Sequence, residues 1–149
     1  SFSGVYSYTA EAVTEVTLCR YSRPRFDRLV DEVPGFARRL LAVRSDELRA
    51  AQDQMLLLGR KMAVEKISSF LLTLAERQAA EDANDGVIDV PMSRNDIADY
   101  LGLTIETVCR TLTKLKSMAA IKALTTAKIK IVDREKLEDL ADGATEDEL

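Results

Sequence analysis

Residues 93–118 read SRNDIADYLGLTIETVCRTLTKLKSM. Ser93 is a good helix N-cap after Pro91-Met92, and Ile97, Ala98 and Leu101 recur at the spacing of a helix face. Gly102 can take the positive φ of a tight turn at Leu101-Gly102-Leu103. Thr104 then caps a second helix, expected from Ile105 to about Ser117, with Val108, Leu112 and Leu115 as its inner face. Two short amphipathic helices joined through a glycine turn, followed by Arg and Lys, are the sequence form of a helix-turn-helix, which lays its second helix in the major groove of DNA.

On that expectation, the outward face of the second helix is Ile105, Glu106, Cys109, Arg110 and Thr113. Glu106 and Arg110 are one turn apart and point the same way. Carboxylate accepts from a cytosine amino group, and guanidinium grips guanine O6 and N7. Glu106, Arg110 and Ile105 are therefore the candidate base readers. The plainer alternative is a first-turn Glu in an i,i+4 ion pair with Arg110, worth a few tenths of a kcal/mol. Ser93, Arg94, Thr104, Thr107, Thr113 and Lys114 are candidate phosphate contacts, with Lys116, Lys122, Lys128 and Lys130 behind them. Cys109, between the readers, is either a small filler near the phosphates or a redox switch. A helix start and an adjacent Arg favour its thiolate, and a sulfinate or sulfonate there would repel phosphate. Cys19, on an expected strand, reads as an inert buried thiol.

Working outward, residues 119–123 lead into a hairpin around Thr125-Thr126-Ala127, with 128–132 as its second strand: a wing. Residues 133–140 are expected as a closing helix, and 141–149 as a disordered acidic tail. Upstream, 87–90 is a short strand after the polar turn 82–86, and 62–80 is a helix with Ile67, Phe70, Leu71, Leu74 and Ala75 inward. The segment 61–140 then makes one winged helix-turn-helix domain.

Before it lies a long amphipathic stretch, 34–60. Leu41, Leu48, Met55 and Met62 recur every seven residues, with Ala51 and Leu58 three beyond the middle pair: an a/d seam broken at Arg44. Some 25 residues of helix make a rod of roughly 38 Å. The pattern suits a homodimer seam, the alternative being a helix packed in its own domain. Pro34 suits the first turn of that helix, and Gly59 bends or ends it. Residues 25–33 form a short helix, and two strands are expected within 1–22, at 5–9 and 12–19. Two strands cannot form a core alone.

Composition agrees. The chain has 149 residues, 46% hydrophobic and 31% charged, enough for one ordinary domain or two small ones. A net charge of -4 hides a segregation: residues 93–130 carry +4 and residues 133–149 carry -6. A basic segment beside an acidic tail fits a DNA-contacting module. There is no histidine, and the two cysteines lie 90 residues apart, so a zinc site or iron–sulfur cluster held within this chain is not expected. No Gly-rich phosphate loop and no G-x-S-x-G point to an enzyme. The cysteine usage fits the cytoplasm, and no apolar run approaches a membrane span.

The order of strands, long helix, second helix, strand, helix-turn-helix and wing resembles the C-terminal two-thirds of the CRP/FNR family of transcription regulators. Residues 92–110, MSRNDIADYLGLTIETVCR, resemble the FNR-type motif in which Glu-x-x-Ser-Arg reads a TTGA half-site. Glu106 and Arg110 match, and Cys109 replaces the Ser. That cysteine resembles the FixK subgroup, where it is associated with oxidative inactivation of DNA binding. The resemblance implies a homodimer on a TTGA…TCAA palindrome and activation through contact with RNA polymerase. It also implies that most of the sensory β-barrel lies outside these residues, with 1–33 as its remnant. The amino-terminal cysteines of the FNR cluster are not in this chain, and Gly4 and Val5 stand where cyclic-nucleotide binders carry a phosphate-gripping Arg-Ser, so no cofactor is expected. Two rival readings stay open: a winged-helix protein-interaction module on a coiled-coil rod, and a ligand sensor controlled by the missing barrel.

Overall fold

The computed structural model describes residues 9–79 and 86–144. The architecture is mainly helical with one small antiparallel sheet: α1 (Arg23–Glu32), α2 (Phe36–Arg60), α3 (Ala63–Ala79), β1 (Val87–Asp89), α4 (Arg94–Leu101), α5 (Ile105–Ser117), β2 (Ile121–Ala123), β3 (Lys128–Ile131) and α6 (Arg134–Asp142). The chain divides into two compact units, one up to Ser45 and one from Asp46, so the division falls inside α2.

In the first unit, residues 9–22 form no strand, which corrects the expectation for 12–19. Their alternation is real, but residues 9–20 are all exposed and no strand among the described residues pairs with them. β-Branched residues favour an extended chain only where a ladder and a packed face reward it. The expected strand at 5–9 falls almost wholly outside the described residues, as do Gly4 and Val5. Pro24, not Pro34, takes the first-turn position: it lies in the opening of α1, where its missing N–H costs nothing. Pro34 sits in the turn before α2, which opens two residues later. Phe26 meets Phe36 edge to face, with ring centroids 5.8 Å apart.

The second unit holds the core. Ile67, Phe70 and Leu71 of α3 pack with Ile97, Ala98 and Leu101 of α4 and with Val108, Leu112 and Leu115 of α5. Leu137, Leu140 and Ala141 close the core from α6, which lies against α3. Leu74 and Ala75 are partly buried against the same cluster. The sheet runs in the order β1-β3-β2, with Lys122 opposite Lys130 and Asp89 opposite Lys128 in register. The outer edge of β1 is met by Gln78, whose side-chain amide donates to Asp89 O at 2.8 Å and accepts from Asp89 N at 2.7 Å. One glutamine thus supplies the pair of bonds that a further strand would.

Two lysines that sequence patterning leaves on the surface are structural. Lys66, only 8% exposed, donates to Leu101 O at 3.3 Å. Lys61 donates to Ala141 O at 2.7 Å and to Ser69 Oγ at 3.0 Å. Both reach last-turn carbonyls, of α4 and α6, which have no partner within their own helices. The positive charge also suits the negative end of the helix.

The candidate nucleic-acid interface

Ser93 caps α4 as its sequence suggests, and the cap is fuller than a lone serine. Its hydroxyl accepts from Asp96 N at 3.2 Å, while its own N–H donates to Asp96 Oδ2 at 2.8 Å. This is a capping box, with Asp in the place usually held by Glu or Gln. The Ser-x-x-Asp spacing was its available signal. The Ser93 hydroxyl and then its backbone N–H hold the Asp96 carboxyl below the usual carboxylate range. A depressed folded pKa stabilises the fold above the unfolded value of about 3.9, and the contribution fades as pH falls through the folded value. Asp96→Asn is therefore expected to be less stable than the native chain at pH 7, with the gap closing below about pH 4. Urea midpoints at pH 7 and pH 3 measure it, and a gap that widens in acid would refute the capping role.

Gly102 ends α4 in the left-handed region, at φ 60° and ψ 45°, and Leu103 N returns to Ala98 O at 2.9 Å. Thr104 caps α5 by accepting from Thr107 N at 3.2 Å. Across α5, Val108, Thr111, Leu112 and Leu115 are buried while Ile105, Glu106, Cys109, Arg110 and Thr113 are exposed. Only the burial of Thr111, at 4% exposure, escapes the sequence reading.

The two charged groups of that face have separate surroundings. Glu106 and Arg110 form no ion pair with each other. The Glu106 carboxylate is held below its usual range first by its own backbone N–H and then by the Thr104 hydroxyl. It is an ionised acceptor folded back on the helix start, and Arg110 keeps its guanidinium exposed.

The candidate phosphate contacts are more occupied than expected. The Ser93 N–H is taken by Asp96. Thr113 donates to Cys109 O at 2.9 Å, and half-buried Thr107 has its hydroxyl 3.0 Å from that of Thr104. Arg94 is half exposed, with its Nη1 enclosed and without a hydrogen-bond partner among the described residues. Lys114 is exposed. Cys109 carries an exposed, free thiol on the outward face; Cys19, in the first unit, is also free and exposed, which corrects the expectation of a buried thiol on a strand. Among the described residues no group of His, Cys, Asp or Glu has the arrangement of a metal site.

The seam residues are all exposed in the single chain: Leu41 at 68%, Leu48 at 61%, Met55 at 70%, Leu58 at 41% and Met62 at 73%, with Ala51 exposed beside them. Met62 lies just beyond α2, in the break before α3. No described helix is long and apolar enough to cross a membrane.

With this geometry in place, comparison with known proteins is decisive at the level of family. The Crp-like helix-turn-helix domain family matches residues 65–140, just over half of the chain. The chain belongs to that family. It is 43% identical over 141 residues to the nitrogen fixation regulation protein FixK of Bradyrhizobium diazoefficiens, covering 95% of this chain and 59% of that protein. It is 40% identical over 136 residues to the transcriptional activatory protein AadR of Rhodopseudomonas palustris, covering 91% of this chain and 56% of that protein. Among solved structures, FixK2 from Bradyrhizobium japonicum superposes with a TM-score of 0.74 at 39% identity, covering 83% of this chain and 60% of that one. The resemblance to the CRP/FNR regulators and their FixK-like members thus holds, and these relatives are named as regulators, not enzymes. The Crp-like chain spans under two thirds of the length of the relatives it matches.

Proposed function

We propose that this chain is the dimerising and DNA-reading part of a homodimeric cytoplasmic transcription regulator, an activator that places α5 in the major groove of a TTGA…TCAA palindrome and touches RNA polymerase. The observation that carries it is the division of α5 into a buried Val108–Thr111–Leu112–Leu115 face and an exposed Glu106–Cys109–Arg110 face, behind a left-handed glycine turn. Glu106, as an ionised acceptor, suits a cytosine amino group, and Arg110 suits guanine O6 and N7. Ile105, 42% exposed at the helix start, offers apolar contact beside them. Ser93, Arg94, Thr104, Thr107, Thr113 and Lys114 are assigned to the phosphates, where they set register and not sequence. Naming of relatives as activators supports the regulatory role.

Gel shifts with the palindrome across a salt series test this directly. Phosphate contacts require log K to fall steeply with log salt, by about 0.9 per neutralised phosphate. Absence of binding, or a flat salt slope, would assign the chain to protein partners.

The two-fold symmetry of the palindrome needs a dimer, and the exposed seam supports one. Half-sites then lie about one helical turn, roughly 34 Å, apart. Leu48→Asp is expected to give monomers in sedimentation, because a charge at a seam core position must be desolvated. A dimer unchanged by that substitution would move the interface elsewhere.

Cys109 supplies the finer, redox part of the proposal. Peroxide is expected to weaken DNA binding by the native chain and not by Cys109→Ala, since oxidation to sulfinate adds a negative charge between the readers. Equal loss in both proteins would remove Cys109 from the switch.

A further inference from the structure

We propose that Gln54 is a positioning residue, which locks the first helix of the helix-turn-helix to the helix carrying the dimer seam and so sets the half-site spacing the protein accepts. The inference rests on the DNA-reading proposal and extends it to a residue that touches neither DNA nor the seam. Gln54 donates through Nε2 to Tyr100 O at 3.3 Å and accepts from the Tyr100 hydroxyl at 3.2 Å. One side chain of α2 thus engages the backbone and the side chain of one residue in the last turn of α4. The Tyr100 ring also meets Phe70 of α3, with centroids 5.8 Å apart. Leu58, itself a seam residue, stands one turn further along α2, its Cδ2 3.7 Å from where a Cβ would stand if Gly102 carried one, so α2 also meets the turn itself.

The placement on α2 gives these contacts their meaning. Ala50, Gln54, Leu57 and Lys61 line the groove that α2 forms with α3 and α4. Ala50, Gln54 and Leu57 repeat at helical spacing and fall on a different side from Leu41, Leu48, Ala51 and Met55, whereas Leu58, of the same seam, reaches the turn, and Lys61 and Met62 lie beyond the helix end. One helix therefore offers one face to its own recognition domain and another to a second copy. α4 fixes α5 through the Gly102 turn, so the Gln54–Tyr100 pair sits on the route from dimer axis to recognition helix. The contact is solvent-exposed, with Tyr100 48% exposed, which suits orientation more than gross stability.

The test measures affinity for the full palindrome, for a single half-site, and for palindromes with one base pair added or removed between half-sites. Gln54→Ala and Tyr100→Phe are expected to weaken palindrome binding roughly three- to tenfold, the span of one or two exposed hydrogen bonds. Half-site affinity is expected to stay within about twofold, since α5 itself is untouched. The preference for the natural spacing should flatten, and Gln54→Glu, which keeps the acceptor but loses the donor, should fall between. Thermal unfolding of each variant checks that it folds. Equal loss on palindrome and half-site would mean a merely structural contact, and unchanged or tighter palindrome binding would also overturn the inference. A native chain that binds neither DNA would instead sink the DNA-reading proposal on which it rests.

Discussion

Replacing Arg110 by alanine is expected to weaken binding to the palindrome by about 1–3 kcal/mol per half-site and to erase preference at one base pair. The loss follows from geometry. Arg110 is exposed on the outward side of α5, one turn beyond Glu106, and forms no ion pair with it. Its donors are thus available for a base edge, and alanine leaves guanine O6 and N7 facing water or nothing. The comparison is Lys114→Ala, expected to weaken all sequences alike and to lower the salt slope by about 1 per half-site. Titrations against the palindrome and against single-base variants separate the two. If Arg110→Ala weakened every sequence equally, Arg110 would be a phosphate contact and the reading of the recognition face would fall.

The second large effect is on the fold. Leu115 is fully buried, on the inner face of α5 among residues of the core cluster. Leu115→Ala is expected to cost about 2–5 kcal/mol, the transfer term plus the cavity left in a close-packed interior. Domains of this size are stable by only about 5–15 kcal/mol, so much of the margin goes. The melting temperature should fall on the order of 10 °C or more. Lys116→Ala, one residue on and exposed, should change stability by less than about 0.5 kcal/mol. Circular dichroism melts of both variants decide it, and a loss below about 1 kcal/mol for Leu115→Ala would show that α5 is not held as described.

The recognition segment was legible because its signals are local. Ser93, Gly102 and Thr104 each act within one turn of backbone, and the inward Val108, Leu112 and Leu115 repeat at the helical period. The wing was legible for the same reason, as a short loop between two strands now seen at Ile121–Ala123 and Lys128–Ile131. The amino-terminal segment misled because alternation states a preference that only a partner strand can satisfy, and residues 9–22 have none among the described residues. Lys61 and Lys66 carried no sequence signal of their structural role. Each has the look of solvated charge, but the C-terminal carbonyls they meet belong to helices that come near only in the folded unit.

The sequence alone therefore determined the helix-turn-helix, its capping residues, the outward Glu106, Cys109 and Arg110, and the apolar heptad of α2. All of these depend on contacts within a few residues along the chain, where spacing decides geometry. The tertiary structure alone decided that Gln54 holds Tyr100 across 46 positions, that Lys61 reaches Ala141 across 80, and that Gln78 completes the edge of β1. Those bonds join groups whose meeting depends on how α2, α3, α4 and α6 pack. No local period encodes a pairing of that kind, because the free energy that selects it comes from burial of the whole core.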